Sequence, residues 1–128
     1  MPRVLVVDDQ KDVRAMVSIV LRVNHFDVVE AESGAAGLKA FGESVFDAAI
    51  VDIFLTDTSG VEVMAAIRER NPGFPIVAVS GMTTMDFMGE APGLGGVVCL
   101  QKPFRPNDLL QALHRAQAAA GGELSAAV

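Results

Sequence analysis

At 128 residues and 51% apolar content, the chain suits one folded domain with a real core and is not a disordered segment. A net charge of −6 argues against nucleic-acid binding, which needs a basic face, and the lone Cys99 excludes an internal disulfide or a cysteine-based zinc cluster. No apolar run approaches the ~20 residues of a membrane span. Met1-Pro2-Arg3-Val4 shows no signal-peptide pattern, so a cytoplasmic location with no membrane partner is expected.

In chain order, residues 3–7 read as a first strand. Val4-Leu5-Val6-Val7 is apolar without alternation, as in a strand covered on both faces. Val13, Met16, Val17, Val20 and Leu21 then mark one face of a helix that Asn24-His25 breaks. Phe26 to Ala31 alternates, as expected nearer a sheet edge. Ser33 is placed to cap a helix carrying Leu38 and Phe41. Phe46 to Val51 is the third strand, and it runs into Asp52. Gly60 precedes a helix with Val63, Met64 and Ile67 on one side, which Asn71-Pro72-Gly73 terminates. Pro75 opens a fourth strand, to Val79, and Val97 to Leu100 is the fifth. Pro106 starts the last helix, with Leu109, Leu110 and Leu113 inward and Asp108 near its positive end. Between Ser80 and Val97, Gly81, Gly89, Pro92, Gly93, Gly95 and Gly96 oppose a long helix, leaving at most a short or irregular one around residues 84–90. Residues 1–118 read as the domain, and 119–128 as a flexible tail or the start of a linker.

Strand followed by helix throughout implies a doubly wound α/β fold: a parallel five-stranded sheet with helices on both faces and right-handed crossovers. In such a sheet the C-terminal strand ends share one edge, where ligands bind. Asp8, Asp9, Asp52, Ser80 and Lys102 all fall there, and in the flavodoxin-like order 2-1-3-4-5 the Asp8-Asp9 pair lies beside Asp52. Three carboxylates that close repel one another. A hard divalent cation resolves the conflict, and Mg²⁺ (or Mn²⁺) suits one or two carboxylates, a carbonyl and retained waters. Lys102 adds a second positive charge from the far side and Ser80 a hydroxyl donor. Metal, ammonium, hydroxyl and carboxylate around one cavity are what a transferred phosphoryl group needs, and an aspartate can itself be the nucleophile.

Val6-Val7-Asp8-Asp9, Asp52 with Gly60 eight residues on, Val79-Ser80-Gly81 and Lys102-Pro103-Phe104 together resemble the receiver domain of bacterial two-component response regulators, from Val4 to about Ala116. The resemblance implies that Asp52 accepts a phosphoryl group from a histidine kinase or histidine phosphotransfer protein. It implies that Asp8, Asp9, Asp52 and the backbone carbonyl of Phe54 hold the metal, that Ser80 and Lys102 bind phosphoryl oxygens, and that Lys102-Pro103 is a cis peptide. The product is a switched protein-interaction surface, in a signalling domain that promotes only its own phosphorylation and dephosphorylation and is not otherwise an enzyme.

The chain departs from the family pattern in three places. Thr56 stands where the family usually has proline, with Asp57, Ser59 and Gly60 still supplying turn chemistry. Phe54 and Met82 flank the expected path of the hydrolysing water, where two large apolar groups would shield the phosphoryl group. Cys99 takes the slot of the family's switch aromatic in a chain with no Tyr or Trp, so output is expected through residues 81–96, where Met82, Met85, Phe87 and Met88 offer core packing or an adaptable docking face. Cys99 itself reads as a small core-facing residue, His25 and His114 as surface residues, and Arg68, Arg70 and Arg115 as solvated helix charge. Competing readings are a phosphorylation-incompetent receiver that acts as a scaffold for an unknown protein target, a small Mg²⁺-dependent phosphohydrolase, for which Phe54 replaces the second acid, and an FMN carrier, for which the first loop lacks a phosphate cradle.

Overall fold

A computed structural model of the chain describes residues 1–81 and 94–119. The elements run β1 (Arg3–Val7), α1 (Lys11–Val23), β2 (Asp27–Ala31), α2 (Gly34–Glu43), β3 (Ala48–Asp52), α3 (Gly60–Arg70), β4 (Ile76–Ser80), β5 (Val98–Gln101) and α4 (Pro106–Ala119). The strands form one parallel sheet in the order β2-β1-β3-β4-β5. This is the flavodoxin-like order expected from the strand–helix alternation. The short helix expected around residues 84–90, the methionine-rich face and the tail beyond Ala119 lie outside the described residues.

Alternation along the central strands divides the core in two. Leu5, Val7, Ala49, Val51, Ile76 and Ala78 point to one face and pack with Val63, Met64 and Ile67 of α3 and with Phe74. Val4, Val6, Ala48, Ile50, Val77 and Val79 point to the other and pack with Val17 and Leu21 of α1 and Leu109 and Leu113 of α4. β1, β3 and β4 are therefore apolar on both faces, which is why their sequences show no alternation. At ~25 cal/mol per Å² of apolar surface removed from water, these two layers supply the main favourable contribution to folding.

The ends of the elements have local causes. Residues 21–26 form a Schellman motif at the end of α1. The Phe26 N–H donates to the Leu21 carbonyl (3.0 Å) and the His25 N–H to that of Arg22 (3.1 Å), while His25 takes the left-handed conformation, φ 70°. That hydrogen bond ties Phe26 to the helix exit, so β2 begins at Asp27, one residue later than the apolar pattern suggests. β3 likewise begins at Ala48 rather than Phe46, because Asp47 is spent on Arg3: its Oδ2 accepts from the Arg3 N–H at 2.7 Å. β5 is shifted by one, to Val98–Gln101, which leaves Lys102 directly at its end. At α4 the Asp108 carboxylate accepts from the Arg105 N–H (3.0 Å), a reciprocal cap on the first turn.

Arg68 corrects the sequence reading. It is not solvated: it is 8% exposed, with Nε donating to the Phe74 carbonyl (2.7 Å) and Nη1 to the Gly95 carbonyl (2.9 Å). Its position four residues after the buried Met64 places it on the inward face of α3, where the guanidinium donates to two loop carbonyls. Arg70, Arg115, His25 and His114 are exposed.

A side chain at φ 70° carries a steric penalty that glycine escapes. His25→Gly is expected to raise the unfolding free energy by roughly 0.5–1 kcal/mol in urea titration, a small gain because glycine also loses more entropy on folding.

Candidate metal and acidic site

β1 and β3 are neighbours, with Val7 paired to Val51, so the next residue on each strand, Asp8 and Asp52, emerges side by side at the C-terminal edge. Both are buried, Asp52 to 4% exposure, while Asp9 is partly exposed. One oxygen from each of Asp8, Asp9 and Asp52 lies within 4.8 Å of the other two. A cavity of about 680 Å³ opens beside them, lined by Asp9, Gln10, Asp52, Phe54, Thr56, Gly81 and Lys102.

Burial pushes the Asp52 carboxyl up from its ordinary value of 3.8, and the adjacent Asp8 charge pushes it further. Lys102 and the Phe54 N–H pull only part of the way back. The site is thus short of positive charge. Its donors are all oxygen, and the carboxylate oxygens are close enough to share one ion, so Asp8, Asp9 and Asp52 fit a hard divalent cation such as Mg²⁺.

Lys102 does not face the carboxylates from across the cavity. It bridges two of them: Nζ is 3.3 Å from Asp8 Oδ2 and 3.2 Å from Asp52 Oδ2. Its third contact is Gln10 Oε1 at 2.7 Å. The backbone behind it is fixed by the Lys102 N–H donating to the Ser80 carbonyl (2.7 Å), and the Lys102–Pro103 peptide is cis. Ser80 is buried at the end of β4, opposite Gln101. Cys99 lies opposite Ala78, partly buried against the α2–α3 core, and burial pushes its thiol up from the ordinary value.

The loop after Asp52 is closed by its own backbone. The Phe54 N–H donates to Asp52 Oδ1 (3.1 Å), the Gly60 N–H donates to the Ile53 carbonyl (2.7 Å), and Phe54 and Ser59 form an isolated antiparallel bridge. Ser59 Oγ then caps α3 by accepting from the Val61 N–H. Gly60 has no room for a side chain: a Cβ there would stand 2.0 Å from the Asp52 carbonyl oxygen. Phe54 is 51% exposed.

Two contributors were not foreseen from the sequence. Gln10 is the N-cap of α1, yet its side chain leaves the helix for Lys102, 92 residues away, while its N–H donates to Asp8 Oδ1 (2.8 Å). Arg14 Nη1 donates to the Asp8 carbonyl (2.7 Å) and Nε pairs with Glu30 on β2 (3.3 Å). The signal available was position: both residues open the helix that leaves the Asp8-Asp9 strand end.

A parallel sheet that delivers an acidic cluster and an ammonium to its switch point defines a flavodoxin-like α/β protein with a candidate cation site. The chain belongs to the response regulator receiver domain family, whose model matches residues 4–114. It is 30% identical over 117 residues to the chemotaxis protein CheY of Listeria monocytogenes, covering 91% of this chain and 98% of that protein. It is also 30% identical over 115 residues to an NtrX-like response regulator of Rickettsia bellii, covering 88% of this chain but only 24% of that protein. The fold superposes on the chemotaxis protein CheY4 of Vibrio cholerae with a TM-score of 0.84 at 31% identity, over 91% of this chain and 98% of the other. The chain is therefore a receiver domain of the two-component type. No helix among the described residues is long and apolar enough to cross a membrane.

Because the Asp52 carboxyl is raised, its ionisation costs folding stability. That cost is absent below the ordinary value of 3.8 and grows as pH rises through the folded-state value. In metal-free buffer Asp52→Asn is therefore expected to melt above the unsubstituted protein at pH 7, with the difference shrinking toward pH 4 in thermal melts.

Proposed function

We propose that Asp52 accepts a phosphoryl group from a phosphohistidine on a histidine kinase or phosphotransfer protein, and that this Mg²⁺-dependent modification switches a protein-interaction surface. The observation that carries the reading is the contact of one ammonium, on Lys102, with both Asp8 and Asp52 at the edge of the three-carboxylate cluster. Membership of the receiver family supports it.

The reaction follows from the charges. Asp52 Oδ1 is held by the Phe54 N–H and Oδ2 by Lys102, so the carboxylate is fixed in orientation with one edge to the cavity. A carboxylate oxygen attacks phosphorus, the bond from phosphorus to the donor nitrogen breaks, and the electron pair leaves with the imidazole. Asp8, Asp9, Asp52 and the Phe54 carbonyl would hold the metal, which neutralises charge on the transferred group when bound. Lys102 is within reach of Asp52 and is placed to follow a phosphoryl oxygen bonded there, and Ser80 adds a hydroxyl from the neighbouring strand end. Burial raises the value of each such charge contact by lowering the local dielectric. The domain acts as a signalling element and not as an enzyme on a separate substrate, since Phe54 offers no second acid two residues past the acceptor.

Incubation with Mg²⁺ and acetyl phosphate, read by intact mass, is expected to add one phosphoryl group. Asp52→Asn or EDTA should abolish the gain, and Lys102→Ala should slow it by about 10²-fold. Absence of any adduct on the unsubstituted protein would instead indicate a binding scaffold, and turnover of other phosphoesters without an adduct would indicate a hydrolase.

A further inference from the structure

The loop from Ile53 to Ser59 carries Phe54 and Thr56 into the cavity wall, and its base is tied by the Ile53–Gly60 hydrogen bond. Its tip is tied elsewhere. Asp57 Oδ1 accepts from the Gly34 N–H and Oδ2 from the Ala35 N–H, each at 3.0 Å, across 23 and 22 residues of sequence. These are the first two amides of α2, a helix with no acidic residue in its own first turn. Ser33 satisfies the next one, its Oγ accepting from the Ala36 N–H, and its carbonyl accepts the first intrahelical bond, from the Gly37 N–H. Gly34, Ala35 and Ala36, three amides at the start of α2 that have no carbonyl within the helix to bond, are thereby satisfied, two of them by the loop that follows Asp52. The loop also packs flat on the helix, since a Cβ at Gly34 would stand 2.3 Å from Thr58 Cγ2. The bonds favour the ionised Asp57 carboxylate, which those amides hold below the usual range.

We infer that Asp57 is a positioning residue of the acidic site: by clamping the 53–59 loop to the N-terminus of α2, it fixes the Phe54 backbone that holds Asp52 and borders the metal position. The connection is short. The Phe54 N–H bonds Asp52 Oδ1, and Phe54 and Ser59 are bridged within the same loop, so freeing the tip at Asp57 loosens the backbone that orients the carboxylate. Ligand orientation by groups behind the ligands commonly changes metal affinity by 10–100-fold. Thr56 and Asp57 are adjacent, so the same release also moves the cavity wall.

The inference rests on the reading of Asp8, Asp9 and Asp52 as a cation site, and the test separates the two. Mn²⁺ binding is titrated by the loss of the free-ion EPR signal, beside thermal melts, for the unsubstituted protein, Asp57→Ala, Asp57→Asn and Ser33→Ala. Ser33→Ala removes a cap from the same helix without touching the loop. Both alanine variants are expected to melt a few degrees lower. Only Asp57→Ala should weaken Mn²⁺ binding, by about 10-fold, with Asp57→Asn between it and the unsubstituted protein because its amide can accept at one oxygen only. Equal Mn²⁺ affinity in Asp57→Ala and the unsubstituted protein, or an equal loss in Ser33→Ala, overturns the inference and leaves the cation site standing. Failure of the unsubstituted protein to bind Mn²⁺ overturns the cation site, and the inference with it.

Discussion

Two carboxylates are forced together where the sheet changes direction, and much of the structure answers that fact. Pairing of Val7 with Val51 leaves Asp8 and Asp52 no choice of neighbour. Both are buried, and burial and mutual repulsion act in the same direction on Asp52. An uncompensated pair of this kind costs folding energy or takes up a proton. The chain supplies Lys102 from the end of β5, on the far side of β4, and the ammonium divides its attraction between the two acids and the Gln10 carbonyl oxygen. One lysine against three acids leaves a deficit of positive charge, and that deficit makes the edge of this sheet a place for a cation.

The scaffold around this point is stiff for identifiable reasons. Val4 to Val7, Ala48 to Val51 and Ile76 to Val79 are buried on both faces, so the strand ends cannot shift without repacking two core layers. The connections are held by backbone amides. Gly60 lets α3 start against the Asp52 carbonyl, Asp57 and Ser33 share the amides of α2, and Arg14 holds the Asp8 carbonyl from α1. Asp8 and Asp52 each therefore have their backbone or side chain held by an element other than their own. This is the geometry that transition-state stabilisation by preorganised charge needs, since the charges need not be gathered at the moment of reaction.

The sequence disclosed the sheet and most of its edge because the relevant signals are local. Unbroken apolar runs identified the central strands, and the polar residue at each end, Asp8, Asp52, Ser80 or Lys102, followed from the direction of the chain. What stayed hidden depends on contacts between distant segments. Asp57 reads as turn chemistry until α2 is seen to begin against it. Gln10 carries no signal beyond its position until its side chain is seen to reach Lys102. Arg68 was legible in principle, being four residues after Met64, but its charge suggested solvent when its spacing indicated the core. Strand boundaries at Phe26, Phe46 and Val97 slipped by one or two residues because hydrophobicity marks burial, whereas the Leu21 carbonyl and Arg3 decide where the ladders begin.

Cys99 sits where the resemblance places a switch aromatic, and its partly buried thiol packs against the α2–α3 core. The central claim concerns an earlier step, the bond made at Asp52. The most direct measurement is borohydride trapping after treatment with acetyl phosphate and Mg²⁺, which reduces an aspartyl phosphate to homoserine, followed by peptide mass spectrometry. Homoserine at position 52, with Asp8 and Asp9 recovered unchanged, is the predicted result. Homoserine at position 8 or 9, or none at all, would contradict the account.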